Sequence, residues 1–472
     1  MQKSVLAEIV GALNKKEARD IHKWLLSPAH NQRQDVVRLF EYMQKSIADL
    51  ETAFEKQRAW KFVNPGEPFD DARMRQVMYF LLKCIEEFLV FEDYSNDPIR
   101  FNIALTRIYR RRNLNKAYKQ AYRIGSDSLE NQPLRNHFYL LNRYFLEQEE
   151  HEHRMAMSQN APVNLQETAD ALEQWFAAER LRISKDMLAH HRIFQTIQYD
   201  YGLQNEILTY SERKKMLDSP AVGVYYFAYQ ALTNPQQETY FDELERCLHH
   251  EMEHFDHSEV RTLYLAALNY CVAKINQGQN EYASRAFELY KKGLETGILL
   301  ENNLVSRYTF GNAVGAALKI REFGWAEKFI SDFEHHLDEK QRKSIVNFNL
   351  SRVYFEKGDY DKAQRMLFDF EYDDMLLNII AKTMLLKIYY EQGEFDALES
   401  LLESMRIYLQ RKEALDTARK SAYKNLISLM KKLLNLNPYS KTQTERMRLL
   451  VESTDPLMER EWLLRQLDGN RR

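Results

Sequence analysis

Two stretches near the C-terminal end, LSRVYFEKGDYDKAQRML (350–367) and LLKIYYEQGEFDALESLL (385–402), superimpose at an offset of 35 residues. Leu350 falls on Leu385, Tyr354 on Tyr389, Gly358 on Gly393, Asp361 on Asp396 and Leu367 on Leu402. Phe395, Leu398, Leu402, Met405 and Leu409 follow one another at helical spacing and form a single apolar stripe. Gly358 and Gly393 sit where the chain must leave a first helix, a place that favours the left-handed conformation glycine accepts. The pattern predicts helix–turn–helix units, each too thin to bury its own apolar face and therefore stacked on its neighbours.

Weaker copies lie upstream, as AVGAALKIREFGWAEKFI (313–330) and YCVAKINQGQNEYASRAF (270–287). Leu350, Ser351, Tyr354, Gly358, Ala363 and Leu367 match the leucine, small residue, tyrosine, glycine, alanine and large apolar residue of the tetratricopeptide repeat. The chain resembles that family over about 260–410, most clearly over 344–410, with Leu386 and Leu398 replacing its two small residues in the later copy. The resemblance implies an α-solenoid of antiparallel hairpins with a concave groove lined by first helices. Within that groove it places Tyr308, Phe348, Arg352 and Phe355, then Thr383, Lys387 and Tyr390. Aromatic and cationic residues on such a face suit a peptide with apolar anchors and an acidic group. Phe348 and Thr383 depart from the Lys and Asn pattern of the family's carboxylate-clamp subset, so no chaperone-tail ligand is implied.

Composition agrees with an all-α chain. Glycine (14 of 472) and proline (10 of 472) each fall below half their usual shares of about 7% and 5%. Sandwiches, barrels and doubly wound sheets need many more turn residues. A hydrophobic share of 44% excludes global disorder. The expected domains are an N-terminal helical module (1–95), divergent helix hairpins (96–250), tetratricopeptide-like repeats (251–435) and a C-terminal helical cap or tail (436–472). WKFVNPGEPFDD (60–71) reads as a linker, and GSDSLENQP (125–133) as a break between helices.

Sixty-six basic against 69 acidic residues leave no global field to steer nucleic acid or anionic lipid. Cys84, Cys247 and Cys271 are widely spaced and form no CxxC pair, which fits a reducing compartment and a cytoplasmic protein. No run approaches a membrane span, and MQKSVLAEIVGALNKK (1–16) reads as a first amphipathic helix rather than a signal peptide.

Two local motifs compete with the groove. HHEMEHFDH (249–257) contains HExxH as His250, Glu251 and His254. On one helix the two imidazoles would share a face and hold Zn²⁺, with Glu251 as general base and Glu281 as a third ligand. No strands precede it to form the sheet edge that zinc peptidases use, and a solvated helix end accounts for the same residues. The other histidine pairs, His190/His191 and His335/His336, point to different helix faces. The segment 98–125 carries Arg100, Arg107, Arg110, Arg111, Arg112, Lys116, Lys119 and Arg123 without an acid, and Tyr109, Tyr118 and Tyr122 lie among them. That mixture suits stacked bases and phosphates, or an amphipathic helix whose polar face is basic. The first reading is a non-catalytic, cofactor-free adaptor that binds a protein or peptide. A zinc hydrolase and a nucleic-acid binder are the alternatives, and the sequence leaves the oligomeric state open.

Overall fold

The computed structural model describes residues 4–47, 55–157, 162–368, 375–411, 417–437 and 439–469. Among them the regular structure is helical, with 23 α-helices and no strand. They form two compact units, Met1–Ile183 with Tyr201–Gly223, and Ser184–Asp200 with Val224–Arg472.

In the first unit, α1 (Val5–Ala12), α2 (Lys15–Leu26), α3 (Gln34–Ile47), α4 (Lys56–Val63) and α5 (Asp71–Asn96) enclose one core. Val10, Ile21, Phe40, Trp60 and Ile85 are buried in it. Asn14 starts α2 with a capping box: its side chain accepts from the Lys16 and Glu17 amides, and Glu17 accepts from the Asn14 amide at 2.8 Å. The expected linker at 60–71 is half helix, because Trp60 and Val63 are buried on the last turn of α4. Four helices follow, α6 (Pro98–Arg111), α7 (Asn115–Asn131), α8 (His137–Met157) and α9 (Leu165–Ile193), the last belonging to this unit only up to Ile183, then α10 (Gln204–Arg213). The expected break at 125–133 begins later than expected: α7 runs on to Asn131, and the chain leaves the helix from Gln132 to Asn136. Gly125 is buried where α7 crosses α6, and a Cβ there would lie 3.2 Å from the Asn102 Cβ.

The second unit holds most of α11 (Pro220–Thr233), then α12 (Glu238–His250), α13 (His257–Asn276), α14 (Tyr282–Glu295), α15 (Arg307–Lys319) and α16 (Phe323–Phe333). It continues with α17 (Arg342–Glu356), α18 (Tyr360–Phe368), α19 (Met375–Gln392) and α20 (Phe395–Arg411). Last come α21 (Thr417–Leu434), α22 (Lys441–Ser453) and α23 (Arg460–Gly469). From α13 to α21 each helix packs on the next, and α17 also touches α15 and α19.

The repeat is visible in the backbone. Asn113, Gly278, Arg321, Gly358 and Gly393 all have φ between 59° and 88° and close the first helix of a hairpin. At each, the residue's own amide donates three residues back, and the next amide donates five residues back, as from Gly358 to Phe355 and from Asp359 to Tyr354. These are the two bonds of a Schellman motif. Seven residues before each turn stand Thr106, Cys271, Val314, Ser351 and Leu386, all fully buried. Five residues after it stand Tyr118, Ala283, Ala326, Ala363 and Leu398, equally buried. Hairpins α13/α14, α15/α16, α17/α18 and α19/α20 of the second unit share this register, and so does α6/α7 of the first.

Candidate functional site

The second unit contains a cavity of about 650 Å³ between its repeated helices. Gly315, Ala316 and Lys319 of α15 form one wall, Arg352 and Phe355 of α17 another, and Thr383, Met384 and Lys387 of α19 a third. Asn276, Tyr290, Asn312, Arg321, Glu356 and Glu459 complete the polar lining. Four cations (Lys319, Arg321, Arg352, Lys387) thus face two carboxylates (Glu356, Glu459), and the cavity carries a positive excess.

Arg352 is the central group. Its Nη1 donates to the Gly311 carbonyl at 2.7 Å and to Asn349 Oδ1 at 3.0 Å, which fixes the guanidinium against α15. That approach needs Gly315, since a Cβ there would stand 2.6 Å from Nη2. Burial pushes the guanidinium down to about 10, against the opposing pull of Glu356, so it stays charged at neutral pH. Arg352 forms no ion pair with any described residue. A half-buried cation without a carboxylate partner is an unspent electrostatic opportunity for an anion.

Lys387 is held differently. Its Nζ lies 2.6 Å from Glu459 Oε2 and 5.4 Å from the centre of the Phe355 ring. Glu459 belongs to the segment just before α23, which docks through Trp462 Nε1 donating to Glu391 at 3.2 Å. One cation of the cavity is therefore already neutralised from within the chain, and Arg352 is not.

The structure brings together four of the residues expected in the groove: Arg352, Phe355, Thr383 and Lys387. Three others do not line the cavity. Phe348 is buried in a core cluster with Ala363, Leu367 and Met384. Tyr390 packs against Trp462, with ring centres 5.5 Å apart. Tyr308 is 63% exposed, and its hydroxyl accepts from Arg307 at 2.8 Å. Sequence reasoning missed Tyr290, Asn312, Gly315, Lys319, Arg321 and Glu459. A signal existed for one of them: Gly311 and Gly315 stand four apart inside a helix, a spacing that marks close approach of another group.

The HExxH segment does not adopt the geometry its chemistry needs. α12 ends at His250, Glu251 is its C-cap, and Met252–His254 form a separate 3₁₀ turn. His250 and His254 are therefore not one turn apart on a common α-helical face. Glu251 lies 3.3 Å from Arg246 Nη1, and Glu281 is exposed at the start of α14. Among the described residues no group of three or more His, Cys, Asp or Glu is arranged to hold a metal ion. His249 takes part in a different contact, its Nδ1 lying 3.1 Å from Lys292 Nζ. Burial, and then the Lys292 charge, hold its imidazole below the usual range.

The basic segment divides between packing and surface. Arg107 and Arg110 both grip the buried carboxylate of Glu149, at 2.8 and 2.9 Å. Tyr118 is buried and stacks on His153, with ring centres 3.7 Å apart. Burial holds the His153 imidazole below its usual range. Arg111, Arg112, Lys116 and Lys119 remain exposed around the α6–α7 turn. Arg107, Arg110 and Tyr118 are thus committed to the fold, and Arg100 lies 3.3 Å from Asp93.

No described helix is long and apolar enough to cross a membrane. Comparison with protein-family models and with curated proteins finds no match.

Proposed function

We propose that the second unit is a tetratricopeptide-like solenoid acting as a non-catalytic, cytoplasmic adaptor, and that it binds an acidic segment of a protein partner in the cavity around Arg352. The observation behind this is the unpaired, half-buried guanidinium of Arg352, held at the meeting point of three first helices beside Phe355, Thr383 and Lys387. A partner carboxylate reaching Arg352 would gain a charge-assisted hydrogen bond in a poorly solvated place, and a neighbouring apolar side chain would meet Phe355 and Met384. Because the wall is built from packed helices, little ordering cost falls on the protein side. The register shared by the four hairpins supports the solenoid, since stacked units of this kind generate a groove along their first helices.

The test compares affinity captures made with the native chain and with the double variant Arg352→Glu, Lys387→Glu. Proteins held by the first and lost by the second are the expected result, with binding that weakens as salt rises. If the double variant retains every protein that the native chain holds, the cavity is not the binding site.

A further inference from the structure

Arg352 and Lys387 line one cavity, and Lys387 already holds a carboxylate there. That carboxylate belongs to Glu459, on the turn between α22 and α23. It lies 2.6 Å from the Lys387 ammonium and is itself part of the cavity lining. An acid of the chain thus stands where the acid of a partner would form its charge-assisted bond.

The contact is not what keeps α23 in place. Trp462, Leu463 and Leu467 are buried in the core that α23 shares with α19, α20 and α21. Trp462 Nε1 and Gln466 Nε2 both donate to Glu391, at 3.2 and 2.6 Å. The Glu459 side chain can therefore swing away while the helix behind it stays docked. Its backbone favours that release. Glu459 has φ 58°, in the left-handed region that an L-residue enters at a cost. Its side chain is also 31% exposed, so solvent screens the pair from one side, while that of Lys387 is only 16% exposed. A displaced Glu459 is readily solvated, and the Lys387 it leaves behind needs another anion.

The two cations are neighbours. Lys387 Nζ stands 5.4 Å from the centre of the Phe355 ring. Phe355 follows Arg352 by three residues on α17, about 4.5 Å along the helix axis. A ligand with one acidic group pairs with Arg352 and leaves Glu459 where it is. A ligand with two neighbouring acidic groups has to displace Glu459 to reach the second cation.

Resting on the reading of this cavity as a site for an acidic segment, we infer that Glu459 is autoinhibitory: its carboxylate occupies the Lys387 subsite until a peptide with paired acidic groups displaces it. Fluorescein-labelled hexaglutamate is titrated with the full-length chain and its variants, and binding is read by fluorescence anisotropy. Glu459→Gln keeps the shape of the side chain and removes its charge, and should bind the peptide about tenfold tighter than the native chain. Glu461→Gln makes the same change of charge at an exposed position two residues on, and should bind as the native chain does. The gain should vanish in a Lys387→Gln background. Equal binding by the Glu459→Gln and Glu461→Gln chains, with Arg352→Gln still weakening it, overturns the role of Glu459 and leaves the cavity as an acidic site. A gain that persists without Lys387 does the same. Binding that Arg352→Gln does not weaken, or no binding by any chain, overturns the acidic site itself and the role of Glu459 with it.

Discussion

At the scale of single residues, Gly315 decides whether Arg352 can stand where it does. Alanine normally raises the stability of a helix interior over glycine by about 1 kcal/mol. At Gly315 the new methyl would meet Nη2 of a guanidinium tied to the Gly311 carbonyl. Gly315→Ala is expected to leave the thermal midpoint nearly unchanged, because the added propensity and the displaced arginine offset each other. It should weaken a partner captured through the cavity about tenfold, a loss of about 1.4 kcal/mol. Calorimetric titration of that partner against both chains checks it; equal affinity would show that the exact placement of Arg352 is irrelevant. The repeat register places Arg352 and Lys387 on the inner faces of first helices, and both side chains line the same cavity. Phe348 does not. It lies one turn before Arg352, but that end of α17 packs against Ala363 and Leu367 of its own hairpin, a tertiary circumstance that helical spacing does not encode.

Elements were legible where the chain marks their ends and obscure where it does not. Gly358 and Gly393 announce their turns, and the same Schellman geometry recurs at Arg321 and Asn113, where an ordinary side chain hides it. Gly125 misleads in the opposite sense, since it serves close packing within α7 rather than a break. HEMEH has the residue types of a helical motif, but α12 stops after its first histidine, as the reading of these residues as a helix end expects. The turns offer a paired prediction. Left-handed φ costs an L-residue roughly 1 kcal/mol, and nothing lies within 4 Å of a Cβ added at Gly358. Gly358→Ala should therefore destabilise the second unit by about 1 kcal/mol, and Arg321→Gly should stabilise it by a similar amount. Denaturant midpoints measure both. If Arg321→Gly destabilises instead, the arginine side chain supports the turn by contacts that outweigh its backbone strain.

For the molecule as a whole, scarcity of glycine and proline together with a mid-thirties period was enough to predict an all-helical chain, because both follow directly from what helices tolerate. The division into two compact units was not legible, since the chain passes between them inside α9 and α11 and no composition shift marks either crossing. The arrangement of the second unit has a mechanical consequence. Its helices α13 to α21 touch chiefly their neighbours in sequence, so stability should behave as a sum of local terms rather than one global block. Leu402 tests this. It is fully buried on α20 among Leu386, Leu398, Met405 and Leu426, and truncation to alanine leaves a cavity costing about 3 kcal/mol. In hydrogen exchange, Leu402→Ala should speed amide exchange in α19, α20 and α21 and leave α13 and α14 at native rates. Uniform acceleration from α13 to α23 would show that the unit unfolds cooperatively, and that helix-to-helix stacking does not set its stability.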